Sequence, residues 1–321
     1  MKLLVTGGLG FIGSNFINYW LSNHTDDYIV NVDKVTYAAN FENINDPNNR
    51  NYRFVKADIN DKNVMEELIA SSDTVINFAA ESHVDNSISS PEVFLKSNYM
   101  GVFNILELVR KYDKRFHQVS TDEVYGSLPP DSRDRFDEGS CYKPSNPYSS
   151  TKAAADFLIR SYVNTYGIKA TISNCSNNFG PNQHPEKLIP KTILNALSNM
   201  KIPIYGNGKQ VRDWIYVEDH CRALGMIIQS GEIGETYLIS SENEMSNVDV
   251  VNMILKILRA PDSLIEHVTD RPGHDKRYSL SPKKIRKEIG WSPKNNFEEA
   301  LRKTIKHYRE NIHKYTFMEH A

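Results

Sequence analysis

The first 175 residues alternate short, nearly continuous apolar runs with stretches of helical spacing. Leu3-Leu4-Val5, Tyr28-Ile29-Val30-Asn31-Val32, Tyr52 to Val55, Thr74 to Phe78 and Phe116 to Ser120 predict strands, and Ala170 to Cys175 a sixth. They lack a regular polar alternate, so they read as strands buried on both faces. Between them, Ile12 to Ser22, Lys62 to Ala70 and Ser97 to Tyr112 carry helical spacing. This alternation predicts an α/β fold built on a doubly wound parallel sheet with helices on both faces.

After residue 175 the pattern loosens. Pro, Gly and Asn gather in Asn177 to Pro190 and Pro203 to Gly208, which read as loops. We therefore expect one domain over 1–175 and a smaller, less regular α/β substrate lobe over 176–321. Val211 to Val217 and Tyr237 to Ile239 are apolar enough to cross back, so parts of 211–240 are expected to rejoin the first domain. The 321 residues suffice for this plan, and 40% hydrophobic with 24% charged residues is ordinary for a globular enzyme. The net charge of −2 gives no pull toward nucleic acid or an anionic membrane. No apolar run approaches the roughly 20 residues a membrane span needs. Met1-Lys2 leads straight into the first strand, without the signature of a secretory leader. Cys141, Cys175 and Cys221 are odd in number and lack metal or disulfide spacing. The expectation is a reduced, cytoplasmic protein without a metal.

Chemistry enters at the first strand–helix junction. In Thr6-Gly7-Gly8-Leu9-Gly10-Phe11-Ile12-Gly13, glycines 7, 10 and 13 have the spacing of a dinucleotide-binding turn. Such a turn needs a residue without Cβ, a pyrophosphate must approach backbone N–H groups, and helix and strand must pack closely. A tight turn alone would explain one glycine. The context adds Asp33, which ends the second strand 20 residues after Gly13. A carboxylate there accepts from both ribose hydroxyls and repels a 2′-phosphate, which favours NAD over NADP. The sheet is thus expected to be of the Rossmann kind. Asp58-Ile59 follows the third strand and can meet the adenine. Ala79-Ala80 follows the fourth, where small side chains let a cofactor pass.

Tyr148 and Lys152 are four apart and share one face of a helix that Asn146 can cap and Pro147 can open. A lone Tyr/Lys pair is usually ordinary surface. The chain order here is nucleotide turn, then Ser120-Thr121 at the end of the fifth strand, then this pair. A tyrosine titrates near pH 10, so serving as a base at pH 7 requires roughly 4 kcal/mol of preference for the phenolate. Lys152 and a positive nicotinamide ring together can supply it. Asp122 and Glu123 adjoin Thr121. A simple alcohol dehydrogenase needs neither, whereas eliminating water needs an acid and a base at once. Two close carboxyls resist joint ionisation, so one tends to keep its proton. They could also merely cap the following turn.

T-G-G-x-G-F-I-G, D-K-x-T-Y-A, A-A-E-S-H-V-D, S-T-D-E-V-Y-G, Y-S-x-x-K, C-S-N-N-x-G-P, P-E-K-L-I-P, P-I-Y-G-x-G, R-D-W-x-Y-V-E-D and D-R-P-G-H-D all stand in the chain. Together, from Met1 to about Tyr308, they resemble the dTDP-glucose 4,6-dehydratases of the extended short-chain dehydrogenase/reductase superfamily. The glycine turn is common to the superfamily; T-D-E and D-R-P-G-H-D are narrower signals. Departures are Asn86 for a common arginine, Ala39 for a glycine and Phe179 for a tyrosine.

The resemblance implies a redox cycle with tightly held NAD that is regenerated at each turnover. Tyr148, supported by Lys152, takes the proton of the sugar 4-hydroxyl while hydride leaves carbon 4, and Thr121 hydrogen-bonds that oxygen. Glu123 takes the carbon 5 proton, Asp122 protonates the departing 6-hydroxyl, and hydride returns to carbon 6. It implies cofactor contacts from Gly7, Gly10, Phe11, Ile12, Gly13, Asp33, Lys34, Thr36, Asp58, Ile59, Ala79, Ala80, Ser82, Asn98, Ser120, Tyr148, Lys152 and Asn177. Substrate contacts fall to His83, Thr121, Asn177, Lys187, Leu188, Pro203, Tyr205, Arg212, Asn247, Arg271, His274 and Tyr278. The arginines suit a diphosphate through their planar fork, and Tyr205 can stack a base. Another nucleotide-sugar dehydratase or a 4-epimerase on the same scaffold is the alternative, and a non-catalytic dinucleotide sensor a third. A homodimer is expected through helices following Asn98 and Ser149. Phe103, Leu106, Val109, Phe157 and Leu158 can supply its apolar surface or equally be core. The family expectation for the pathway is rhamnose or another deoxysugar for polysaccharide.

Overall fold

The computed structural model of the chain describes residues 1–315. Its strands are β1 (Lys2–Thr6), β2 (Tyr28–Asp33), β3 (Tyr52–Lys56), β4 (Thr74–Asn77), β5 (Arg115–Thr121), β6 (Lys169–Cys175), β7 (Asn177–Phe179), β8 (Ile202–Tyr205), β9 (Val211–Tyr216), β10 (Thr236–Ile239), β11 (Glu244–Ser246) and β12 (Ile265–Val268). Seven form one sheet in the order β10-β6-β5-β4-β1-β2-β3, every pairing parallel. Leu3, Leu4, Val5, Ile29, Val32, Val75, Ile76 and Phe116 are closed to solvent as expected, but β3 is not buried on both faces: it is an edge strand, with Tyr52, Phe54 and Val55 half-buried and Arg53 and Lys56 exposed. One face packs Phe16, Ile17 and Trp20 against Leu224, Ile227 and Ile228. The other packs Met65, Ile69, Ile105, Leu106 and Ile159. Chain order reverses at β1, between β2 and β4, and such a switch point opens a crevice at the carboxyl ends of the strands.

Of the two segments expected to cross back, Thr236–Ile239 becomes the edge strand beside β6, and the helix Val217–Ser230 covers the helix Phe11–Asn23. Val211–Tyr216 does otherwise. It pairs with β7 and β11 in a three-stranded sheet, because buried Trp214 and Tyr216 find their apolar partners in the smaller lobe. A two-stranded sheet joins β8 and β12. Helices Leu188–Leu197, Asn247–Leu258 and Phe297–Glu310 close that lobe around Phe179, Ile193, Ile254, Leu301 and Tyr308.

The helical run expected over Ser97 to Tyr112 is broken by a π turn at Leu95–Met100 before the α-helix Gly101–Lys111. Such wide turns recur at functional sites because they re-aim one side chain; here Asn98 is buried. Leu106 and Val109 are core, whereas Phe157 is exposed. Cys141, Cys175 and Cys221 are free thiols. Among the described residues, no helix is long and apolar enough to cross a membrane, and no cluster of His, Cys, Asp and Glu is arranged to hold a metal.

Candidate active site

A cleft of about 340 Å³ opens at the carboxyl ends of β1, β2, β4, β5 and β6. Its floor is the glycine turn. Gly7 has φ +69°, and a Cβ there would stand 2.6 Å from the Ala79 nitrogen. A Cβ on Gly13 would stand 2.4 Å from the Gly7 carbonyl. Both glycines are demanded by the packing of the chain itself. Gly10 differs: its Cβ would meet only the Gly7 carbonyl, at an ordinary 3.4 Å. Nothing inside the protein requires glycine there. Gly10 lines the cleft at the N-terminus of the helix Phe11–Asn23, where backbone N–H groups suit a phosphate. That is the cradle a dinucleotide needs.

Asp33 closes the next strand. Its carboxylate accepts from Leu9 N–H at 3.0 Å and Val35 N–H at 2.8 Å, which fixes it at the cleft wall. Burial pushes this carboxyl up, and those two amides oppose it. Lys34 pairs with Asp58 at 2.8 Å. Burial pushes Asp58 up, but Lys34 and Asn60 outweigh it and hold the group below its usual range. Phe11, Ile12, Thr36, Ile59, Ala79, Ala80, Ser82, Ser120 and Asn177 also line the cleft, as the motifs predict. Asn98 stands behind the wall. Its amide oxygen accepts from Glu81 N–H, and its amide nitrogen donates to the Glu81 carbonyl and the Thr151 hydroxyl. It shapes the wall through Glu81 because the π turn aims it at that backbone.

At the catalytic end, β5 runs into a 3₁₀ turn, Asp122–Tyr125, capped by Thr121. The Thr121 hydroxyl accepts from Glu123 N–H and donates to Asp122 Oδ1, both at 3.2 Å. Opposite stands the helix Pro147–Tyr166, opened by Pro147 and a reciprocal cap between Asn146 and Ser149. Tyr148 and Lys152, both buried, line the cleft from it. Lys152 Nζ donates to the Val119 carbonyl at 2.8 Å.

The two carboxyls differ in surroundings. Burial, then the neighbouring Glu123, drives Asp122 well above the usual carboxylate range. Its Oδ2 is buried without a hydrogen-bond partner among the described residues, as expected of an acid holding a proton for something not of the chain. Burial also raises Glu123, but Arg271, Lys187 and Arg212 counter it. Burial, then Glu123, pushes the Tyr148 phenol well up, against a hydrogen bond with Thr121. Burial also lowers Lys152, and Asp156 and Cys175 oppose that lowering. The chain's own charges therefore do not lower Tyr148.

The residues expected to bind substrate divide. Asn177 and Lys187 join Thr121 on the cleft wall, and Lys187 Nζ donates to the Ser82 carbonyl at 3.2 Å. His83 stands between Asp85 and Glu186, at 3.9 and 3.8 Å. Arg212, Tyr205, Arg271, His274 and Tyr278 belong to the smaller lobe, outside the cleft wall. The Arg212 guanidinium lies 4.3 Å from the Tyr278 ring centroid and donates to the Asp275 carbonyl. Tyr278 donates to the Asp275 carboxylate at 2.5 Å. The Tyr205 hydroxyl donates to Asp85, while Arg271 approaches both Asp85 and the Tyr205 ring. His274 Nδ1 is 2.6 Å from Asp270. Asn247 starts a helix with its N–H on the Gln210 carbonyl, Leu188 packs into the lobe's core, and Pro203 lies in β8. Sequence reasoning missed Glu81, Cys175, Ser176, Asn178, Gln183, His184 and Glu186, which also line the cleft. Glu81, Cys175, Ser176, Asn178 and Glu186 stand inside quoted motifs, and that was the available signal.

The GDP-mannose 4,6 dehydratase family model matches residues 4–304. The dTDP-glucose 4,6-dehydratase of Mycobacterium tuberculosis is 51% identical, covering 97% of this chain and 94% of that protein. That of Escherichia coli is 46% identical, covering 97% and 94%. Among solved structures, DesIV of Streptomyces venezuelae, a dTDP-glucose 4,6-dehydratase with NAD bound, superposes with a TM-score of 0.96 at 39% identity, covering 99% of this chain and all of that one. The UDP-glucose 4-epimerase of Thermus thermophilus, also with NAD, gives 0.89 at 26% identity, covering 97% and 100%. With the glycine cradle, the Tyr148–Lys152 pair and the adjoining carboxyls in one cleft, and with likeness over nearly its whole length, the chain belongs to the nucleotide-sugar 4,6-dehydratase family.

Proposed function

We propose that the chain acts as a dTDP-glucose 4,6-dehydratase, converting dTDP-glucose to dTDP-4-keto-6-deoxyglucose and water. The observation that carries this reading is the adjacent Asp122 and Glu123 beside Tyr148, the buried Asp122 with an unpartnered Oδ2 and the half-buried Glu123 neighboured by three cations. Residues 1–175, with the helix Val217–Ser230 and β10, form the cofactor domain, and the rest of the described residues from 176 on supplies the nucleotide-sugar lobe. The printed names of the relatives, and NAD in the solved neighbours, support the choice of substrate and cofactor.

NAD, when bound, takes up a hydride from carbon 4 and gives it back at carbon 6. Gly10 and the helix behind it receive the pyrophosphate, and Asp33 accepts from the ribose hydroxyls. Tyr148 takes the 4-hydroxyl proton, with Lys152 favouring the phenolate and Thr121 holding the oxygen. Glu123 takes the carbon 5 proton once the 4-ketone has acidified it. Asp122, kept protonated by burial, gives its proton to the departing 6-hydroxyl, which leaves as water, and carbon 5 takes up a proton again as hydride reaches carbon 6. Lys187, Arg212 and Arg271 receive the diphosphate and its neighbourhood, and Tyr205 the base. The product suits deoxysugar routes such as that to rhamnose. A homodimer would bury exposed Leu95, Met100 and Phe157 on the helical face that includes 95–111 and 147–166.

The test is incubation with dTDP-glucose in heavy water, without added reductant. The expected product is dTDP-4-keto-6-deoxyglucose carrying deuterium at carbon 5. Recovery of unchanged substrate, or of a 4-epimer with no label at carbon 5, overturns the reading.

A further inference from the structure

One buried carboxylate in the catalytic region has no part in the cycle above. Asp156 lies one turn beyond Lys152 on the helix Pro147–Tyr166 and is closed to solvent. Its Oδ2 accepts three hydrogen bonds: from the Ser120 hydroxyl at 2.8 Å, the Tyr142 hydroxyl at 3.0 Å and the Asn174 amide at 3.2 Å. Three donors on one oxygen favour the ionised carboxylate, while Oδ1 is buried without a hydrogen-bond partner among the described residues. Asn174 also donates to the Thr121 carbonyl, and Ser120 precedes Thr121 at the end of β5. The Tyr142 hydroxyl in turn accepts from Arg160 at 2.8 Å. Asp156 thus ties together the last two residues of the catalytic strand, the neighbouring strand β6, the loop bearing Tyr142 and the helix bearing Tyr148 and Lys152.

Lys152 is buried, and its ammonium has a neutral carbonyl as its hydrogen-bond partner. A buried ammonium is expensive without an anion nearby. On its own helix Tyr148 and Asp156 stand one turn to either side of it, and Cys175 on β6 also acts on its charge. Of these, Asp156 is the carboxyl whose ionised form three hydrogen-bond donors favour.

We propose that Asp156 is a positioning residue, which keeps Lys152 as an ammonium beside Tyr148 and locks Ser120 and Thr121 at the end of β5. The burial that lowers Lys152 is opposed first by Asp156. Burial pushes Asp156 up in turn, and Lys152 is foremost among the groups pulling it down. Each ion thus supports the other. The inference rests on the reading of Tyr148 and Lys152 as the catalytic pair.

The experiment is the pH dependence of kcat for dTDP-glucose, measured on the NAD-loaded enzyme and on Asp156→Asn. Without the carboxylate, Lys152 loses its proton at lower pH, so the alkaline limb moves down by about one pH unit or more. Activity above neutrality falls about tenfold or more, while KM stays within about twofold. Tyr142→Phe removes one donor and keeps the charge, so its alkaline limb stays where the wild type has it. Should Asp156→Asn not fold, Asp156→Glu carries the test: it retains the charge and must retain the limb. An Asp156→Asn enzyme whose activity drops equally at all pH, or not at all, overturns the proposal, as does a displaced limb in Asp156→Glu. Wild-type enzyme inert toward dTDP-glucose would instead overturn the functional reading itself.

Discussion

The cofactor half and the nucleotide-sugar lobe solve different problems with different means. In the first, each site residue is placed by backbone. Gly7 follows β1, Asp33 ends β2, Ala79 follows β4, Thr121 ends β5 and Asn177 begins just past β6. In the second, the binding groups are long side chains from loops and a small sheet, and they engage acids of the chain itself. Arg271 leans on Asp85, Lys187 on Glu186, and Arg212 on the Asp275 carbonyl. In the first region a defect should cost cofactor, and the fold as well where the chain's own packing demands the residue. In the second, a set of polar contacts, a defect should cost affinity for substrate.

Glu123 is where the two meet, since its helix turn belongs to the sheet and its cations come largely from the lobe. Glu123→Gln keeps the size and removes the base. Dehydration should fall about 1,000-fold, while oxidation at carbon 4 persists and reduced cofactor accumulates, visible by its absorbance. Product released at the wild-type rate would remove Glu123 from the mechanism.

The cradle is tested by a pair of glycines. Gly10→Val puts a side chain into the cleft, where the chain has room but a pyrophosphate would not. NAD retention should drop about 100-fold with only a few degrees lost in Tm of the cofactor-free protein. Gly13→Ala meets a carbonyl inside the fold, at 2.4 Å, and should lower Tm and NAD retention together. Equal loss of Tm in the two variants would mean that the contrast between a ligand glycine and a packing glycine is wrong.

The lobe should answer in the opposite way. Arg271→Ala is expected to raise KM about 30-fold, roughly 2 kcal/mol for a charge-assisted bond to phosphate, with NAD content unchanged. A variant that loses NAD but keeps its KM would reverse the assignment of Arg271.

The same contrast explains what could be read in the sequence. Strands β1, β2 and β4 announce themselves because burial on both faces leaves them mostly apolar, and the glycine turn because few other residues fit it. Tyr148 and Lys152 were legible from spacing and a capped helix start. The π turn was not: nothing in Leu95 to Met100 distinguishes a wide turn from an α-helix, so Asn98 was expected at the cofactor and stands behind Glu81. Val211 to Tyr216 was apolar enough for either sheet, and only the partners of Trp214 and Tyr216 decide between them. The upward push on Tyr148 was hidden because burial depends on the whole fold, whereas Lys152 is visible as a neighbour in sequence.

The smallest predicted effect probes the sheet beneath the cradle. His117 on β5 is buried between the Thr171 and Ser173 hydroxyls of β6, and His220 is buried with one ring nitrogen on Asn178. Burial pushes each down to about 3 from a usual 6.5. A histidine depressed in the folded state binds its proton first in the unfolded chain. Its contribution is therefore complete above about 6.5 and is lost as pH falls toward 3. At pH 5.5 each should cost the fold about 1 kcal/mol relative to pH 7.5. Asp122, Glu123, Asp156 and Asp213 are raised by burial and act in the opposite sense, favouring the folded state as pH falls. The measurement is thus a difference: unfolding free energy at pH 7.5 minus that at 5.5, for the wild type and for His117→Gln. The variant should lose about 1 kcal/mol less than the wild type over that interval. Equal losses would mean that His117 is not held neutral, and that the sheet under the cradle yields to acid more readily than its packing implies.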